Sequence, residues 1–314
     1  MYYIGVDIGG TGIKAGVVSD DGTIITKSAI ETNVSKGYEV IVKEMAELIE
    51  NVVKASGVSY DEIDSIGIGC PGSIDDKKGI VTYSNNLKFE NVPLCDELKK
   101  YVDKPIYINN DANCAALGEY FALKDDSIEN FIAITLGTGV GGGVIINKKL
   151  YTGFNGVAGE LGHMVIVTDG NQCTCGRKGC WEAYASATAL IKATAEKAEK
   201  CPDSAMVKMI EDAGKVSGRT AWDAMRQGDK AGKEVVDEYV KYVSEGLVNL
   251  VNIFQPSVIA IGGGVSKEGD NLLNPVKEYM AGKTYAYGLV KPVEIVVAQL
   301  GNDAGIIGAA FLGK

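Results

Sequence analysis

"YIGVDIGGTGIKAGVV" fills residues 3–18 and is echoed by "FIAITLGTGVGGGVII" at 131–146. Each reads as a strand, a Gly/Thr turn and a second strand. Backbone N–H groups in such turns form a nest for anions, Thr hydroxyls add donors, and a backbone without Cβ lets phosphate come close. Gly9, Gly10, Thr11 and Gly12 form the first turn; Gly137, Thr138 and Gly139 form the second. Asp7 ends the first strand beside its turn, where a carboxylate suits Mg2+ or its waters. For either turn alone, an ordinary tight hairpin is the competing reading. The pair, together with Gly262-Gly263-Gly264 after the strand "VIAI", favours a nucleotide. Two similar units half a chain apart also hint at duplication of one α/β domain.

Other nucleotide folds fail on context. Gly282-Lys283-Thr284 offers half of a Walker loop, but Lys277 stands where its first glycine belongs. Gly67, Gly69 and Gly72 have dinucleotide-fingerprint spacing, as do Gly137, Gly139 and Gly142, yet neither run opens a helix that could cap a pyrophosphate.

Around the first turn, strands are expected at 2–8, 13–19 and 23–30, the last two joined by the hairpin turn Ser19-Asp20-Asp21-Gly22. Residues 38–54 read as a helix with Ile41, Met45, Leu48, Ile49 and Val52 on one face. Strands follow at 66–70, 79–83 and 106–109, then a helix from about Asp111. The second half reads as helices at 181–200, 205–213, 219–226, 231–254 and 270–281, and "DAGIIGAAFLG" as a short apolar helix. The expected division is 1–115 plus the C-terminal helix at 302–314, against 116–301, with a hinge near 110–125.

The one histidine, His163, precedes Cys173, Cys175 and Cys180 in "GHMVIVTDGNQCTCGRKGC" (162–180). Cys₃His is the donor set of a tetrahedral structural zinc, a closed site that scaffolds and does no Lewis-acid chemistry. Three free cysteines in a loop is the alternative. Zinc on one ring nitrogen would leave the other for hydrogen bonding, next to Glu160 in "GVAGELGH".

Composition narrows the partners. With 314 residues and 46% hydrophobic content the chain can bury two cores, and a net charge of −10 argues against nucleic acid and acidic membranes. No apolar run is long and unbroken enough for a membrane span. Seven cysteines and no apparent export signal suggest a reducing, cytoplasmic setting.

Taken together, "DIGGTGIKAGVV", "LGTGVGGGVI", "GVAGELGH" and "CTCGRKGCWE" resemble the motifs of the ROK family of sugar kinases and repressors, over nearly the whole chain. The resemblance implies an α/β, two-domain actin-like ATPase fold of the ribonuclease H-like/hexokinase superfamily, with ATP and sugar meeting in an interdomain cleft. It implies ATP-dependent phosphorylation of a hexose, with glucose the family-level expectation, because "CTCGRKGCWEAYASATAL" is most similar to the family's bacterial glucokinases. Mannose, N-acetylmannosamine or fructose fit the same polar set. It further implies Asp111 in "NNDAN" as the catalytic base; Gly72, Asn86, Asn110, Glu160, His163 and Glu182 as sugar ligands; Gly262 to Gly264 near adenosine; Mg2+ with the ATP; and a homodimer. Gly12 stands where many relatives carry Lys. A helix N-cap is the other reading of Asp111. An aspartate of ordinary pKa, about 3.9, is a feeble base, so it would orient the hydroxyl and accept the proton late. Sugar binding is expected to close the cleft and exclude water. A sugar-sensing repressor of the same family is the rival; a DNA-binding segment is expected ahead of the first phosphate motif, which here starts at residue 5. A nicotinamide dehydrogenase is a third class, left open only if the loops cap helices.

Overall fold

The computed structural model describes all of residues 1–314. Contacts divide the chain into two compact units: 1–129, 143–159 and 299–314 form the first, and 130–142 with 160–298 the second.

The first unit opens with β1 (Tyr2–Ile8), β2 (Gly12–Ser19) and β3 (Ile24–Glu31), continues through α1 (Tyr38–Ser56), β4 (Ile63–Cys70), β5 (Ser73–Asp75), β6 (Ile80–Ser84), β7 (Phe89–Val92), α2 (Leu94–Leu98) and β8 (Ile106–Asn110), and ends this run with α3 (Asp111–Ala122). Gly22 donates its N–H to Ser19 and closes the expected hairpin turn. Valine and isoleucine dominate the strands because a pleated sheet suits β-branched side chains. β1 pairs antiparallel with β2 and parallel with β4, and β4 pairs parallel with β8. The sheet order is β3-β2-β1-β4-β8. Helix α1 lays its expected face on this sheet, with Ile41, Met45, Ile49 and Val52 fully buried.

The chain then forms β9 (Phe131–Leu136), β10 (Val140–Ile146) and β11 (Lys149–Leu150), followed by α4 (Glu182–Ala185), α5 (Ala187–Lys200), α6 (Ala205–Ala213), α7 (Thr220–Arg226), α8 (Lys230–Phe254), β12 (Val258–Gly262), α9 (Asp270–Met280), β13 (Glu294–Val297) and α10 (Ala304–Ala310). The second sheet has the order β11-β10-β9-β12-β13. Both sheets thus run third-second-first-fourth-fifth in order of appearance. The short sequence echo marks one topology used twice.

Two expectations need correction. Residues 181–200 are not one helix. Ser186 is extended, caps α5 by accepting the Ala189 N–H, and is followed by Ala187, whose N–H donates to the Gly137 carbonyl. That tether outweighs helical continuity. Nor is there a break at 115: α3 is one element to Ala122, and the chain leaves the first unit only after Glu129.

The physical reason is α10. Its backbone rests directly on β1, β4 and α3. A Cβ on Gly5 would lie 1.8 Å from the Ile306 carbonyl oxygen, and one on Gly67 1.7 Å from that of Ala309. A Cβ on Gly308 would lie 1.6 Å from the Cys114 oxygen, and one on Gly118 2.4 Å from that of Ala304. Gly67-x-Gly69-x-x-Gly72 therefore serves three separate contacts: Gly67 admits α10, Gly69 lies against Cys114, and Gly72, at φ 113°, turns against Tyr83. No pyrophosphate is needed to explain the spacing.

Gly67→Ala should therefore lower the unfolding free energy by about 1–3 kcal/mol, because the backbone on both sides must shift. Gly264→Ala, where a Cβ meets nothing within 4 Å and φ is −61°, should change it by less than about 0.5 kcal/mol. Urea denaturation of both variants checks the contrast.

Candidate active site

In the first unit, β1, β4 and β8 run parallel and end at Ile8, Cys70 and Asn110. Ligand groups gather outside such carboxyl ends in open α/β sheets. Asn110 lies at this edge and caps α3. Its Oδ1 accepts the N–H groups of Ala112 (2.9 Å) and Asn113 (3.3 Å), while its Nδ2 donates to the Gly72 carbonyl at 3.1 Å. The cap is thus Asn110, not Asp111. Asp111 is the first helical residue, half-buried, with Oδ1 accepting the Ala112 N–H at 2.9 Å. Beneath them Asn109, buried, accepts from the Asn110 N–H and from Asn113 Nδ2, both at 2.9 Å. Asn109 and Asn113 were not singled out in the sequence, although the run "NNDAN" carried the signal.

The first glycine turn belongs to this group. Gly9 donates its N–H to the Gly12 carbonyl, and Thr32 Oγ1 donates to the Gly9 carbonyl at 2.7 Å. Thr11 is exposed. A Cβ on Gly10 would lie 3.4 Å from Asn86, so the turn and that sugar candidate are neighbours. Asp7 pairs across the hairpin with Lys14, whose Nζ lies 3.6 Å from Oδ2. Lys14 was also missed, yet Ile8 opposite Ile13 fixes the hairpin register and sets Lys14 against Asp7. Burial pushes the Asp7 carboxyl above its ordinary range, offset in part by Lys14. The same edge holds Cys70 and Cys114, whose thiols are raised first by burial and then by the Asp111 charge, which keeps them unreactive.

In the second unit Gly137 donates its N–H to the Gly139 carbonyl and closes the second turn, with Thr138 exposed at its tip. β12 pairs parallel with β9, which sets Gly262 opposite Thr135. Gly263, at φ 89°, would put a Cβ 2.3 Å from the Leu136 oxygen. The triple glycine and the Gly/Thr turn are therefore brought together. Glu182 joins them: its Oε2 accepts the Val140 N–H at 3.0 Å, and its Oε1 accepts the Thr174 hydroxyl at 3.3 Å. The sequence assigned Glu182 to sugar alone and missed this bridge. Glu160 is exposed, and its carbonyl accepts the His163 N–H.

His163, Cys173, Cys175 and Cys180 place their donor atoms within 4.8 Å of one another. Cys175 Sγ lies 3.6 Å from Cys180 Sγ, and Cys173 Sγ 3.6 Å from His163 Nδ1. A zinc tetrahedron has S···S edges of about 3.8 Å and S···N edges of about 3.5 Å, from bonds of about 2.3 and 2.0–2.1 Å. The donor set fits in identity and in spacing. The loop is pinned behind: Trp181, fully buried, donates its N–H to Met164 and its Nε1 to Tyr242, and its ring fills the space that a Cβ on Gly246 would occupy.

The Asp7 carboxylate should cost stability as it ionises. Its folded pKa is raised, so its charged form is disfavoured on folding. The cost is absent below the unfolded value of about 3.9, appears as pH rises through that value, and stands in full above the folded one. Asp7→Asn should therefore raise the thermal midpoint at pH 7, and the gain should vanish as the pH is taken below about 4. Calorimetry across that range reads the sign.

A model of the ROK family matches residues 3–314. A glucokinase from Thermotoga maritima is 39% identical over 99% of this chain and 96% of that protein. The crystal structure of a ROK family glucokinase from Streptomyces griseus, in complex with glucose and AMPPNP, is 36% identical, covers 99% of both chains and superposes with a TM-score of 0.80. A xylose repressor from Caldicellulosiruptor bescii is 30% identical over 97% of this chain and 76% of that protein. The fold is the two-domain actin-like ATPase fold of these sugar kinases. With a family model covering the chain and the motif residues gathered as described, the protein belongs to the ROK family.

Proposed function

We propose that the protein is a glucokinase that transfers the γ-phosphoryl group of ATP to the 6-hydroxyl of glucose. The observation that carries this reading is the division of labour at the start of α3. Asn110 caps the helix through two N–H groups, and Asp111, the first helical residue, stands next to it at the carboxyl end of β8. Relatives of this chain named glucokinase, at 39% and 36% identity over their full length, support the same activity.

Asp111 orients the 6-hydroxyl and takes its proton late, as transfer proceeds through a loose transition state in which positioning and charge neutralisation dominate. Asn110, Gly72, Asn86, Glu160, His163 and Glu182 contact the sugar. The phosphates rest on Gly9, Gly10, Thr11 and Gly12 and on Gly137, Thr138 and Gly139, with Gly262, Gly263 and Gly264 beside adenosine. Asp7 serves Mg2+, and the cation relieves the cost of its buried charge. His163, Cys173, Cys175 and Cys180 hold a structural zinc that fixes His163 through Nδ1 and leaves Nε2 for a sugar hydroxyl. The enzyme works as a homodimer in the cytoplasm, where cysteines outside any disulfide persist.

A coupled ADP-release assay tests the reading. ADP should appear only when glucose is added, faster than with mannose, N-acetylmannosamine or fructose. Asp111→Asn should lower kcat by about 10²–10⁴-fold with little change in glucose KM. Sugar-independent ADP release, or near-full turnover in Asp111→Asn, would overturn it.

A further inference from the structure

The second phosphate turn is tied to the chain that leaves the cysteine cluster. The Val140 N–H donates to Glu182 Oε2 at 3.0 Å, the Ala187 N–H to the Gly137 carbonyl at 2.8 Å, and the Thr188 hydroxyl to the Thr138 carbonyl at 2.8 Å. The approach is close enough to dictate sequence: a Cβ on Gly139 would lie 2.2 Å from Glu182 Oε2. Glu182 stands two residues after Cys180, and its second oxygen accepts from Thr174, which lies between Cys173 and Cys175. Each residue of the turn is thus held, directly or through its neighbour, by the segment 182–188, which begins two residues after Cys180.

We propose that the Cys/His metal cluster holds the 137–140 turn in its phosphate-binding shape through Glu182 and Thr188, so that metal occupancy sets nucleotide affinity as well as the pose of His163. The proposal rests on the kinase reading above, which makes this turn a phosphate site. Thr188 and the Thr174 contact act at one remove and are positioning residues. The backbone of the turn supplies the phosphate donors, and their geometry degrades when the tethers slacken. Partners that orient a binding group from behind commonly change affinity by about 10–100-fold when lost.

Isothermal titration with Mg·AMPPNP and with glucose, run separately, tests this on three samples: zinc-loaded wild type, wild type stripped by a chelator, and zinc-loaded Thr188→Ala. Stripping should weaken AMPPNP by about tenfold or more, and zinc re-addition should restore it. Thr188→Ala should keep one zinc per chain and bind glucose within about twofold of wild type, yet bind AMPPNP about three- to tenfold more weakly. In turnover the same variant should raise the KM for ATP and leave that for glucose. The relay is overturned if Thr188→Ala binds AMPPNP as wild type does, or if stripping weakens glucose alone. Should stripping unfold the chain, visible by circular dichroism, Thr188→Ala decides the matter by itself. Failure of the zinc-loaded wild type to bind AMPPNP at all would sink the kinase reading, and the relay with it.

Discussion

Backbone rests on backbone where α10 meets β1, β4 and α3, with no room for a single added carbon at Gly5, Gly67, Gly118 or Gly308. Contacts this close leave α10 essentially one seat, because any side chain in between would lift it off the sheet. The site of the first unit inherits that precision. Gly305, in the first turn of α10, lies so near the Asp7 carboxylate that a Cβ there would approach its Cγ to 2.9 Å. Glu119, buried on α3, accepts the N–H groups of Gln299 (2.6 Å) and Leu300 (2.8 Å), which fixes where the last segment begins. Strand ends, first turn and Asp7 are thereby registered against one another by steric necessity.

Within that frame the polar groups divide their work. A helix start leaves four N–H groups without intrahelical partners. Asn110 takes two of them and spends its amide on Gly72, and buried Asn109 fixes both Asn110 and Asn113. Asp111 opens the helix beside Asn110, its Oδ1 sharing the Ala112 N–H, and its carboxylate stands at the positive end of α3. Asp7 is the opposite case: a charge seated where burial disfavours it, with a half-exposed lysine as partial compensation.

Much of this was legible in the sequence because it rests on local rules. The strand–glycine turn–strand run and the Ser19–Gly22 turn marked the first strands, the 3.6-residue period of Ile41, Met45 and Val52 marked α1, and the compact spacing of four metal donors marked the cluster. What was not legible depends on distant partners. Gly67 and Gly118 look like turn or flexibility residues until α10 is laid on them. The break at Ser186 comes from Ala187 reaching Gly137, fifty residues earlier. Glu182 carried its sugar assignment from motif resemblance, while its bond to Val140 belongs to packing that no short window contains. The expected division at residue 115 failed for the same reason: the local pattern cannot reveal that α3 and α10 share one interface.

The cysteine segment shows why a chain already rich in core would still recruit a cation. Residues 169–178 are exposed or half-exposed apart from Cys173 and offer no apolar face to a neighbour. Polar bonds alone order them: Cys173 N–H to Arg177, Gly176 N–H to Cys173 and Gly179 N–H to Asn171, with Gln172 Nε2 donating to the Cys173 and Arg177 carbonyls, Thr174 to Glu182, and the Asn171 N–H to the Tyr184 hydroxyl. Hydrophobic burial cannot order such a loop, and its conformational entropy opposes a unique shape at roughly 1–2 kcal/mol per residue. An ion bound to four donors drawn from positions 163 to 180 would join the ends of the loop and close it. Four protein donors would complete a tetrahedron and leave no position for substrate, so the contribution of such an ion would be order. That order is most useful at the two exits of the loop. One leads through Met164 to Trp181 and α8, and the other through Glu182 to the second glycine turn.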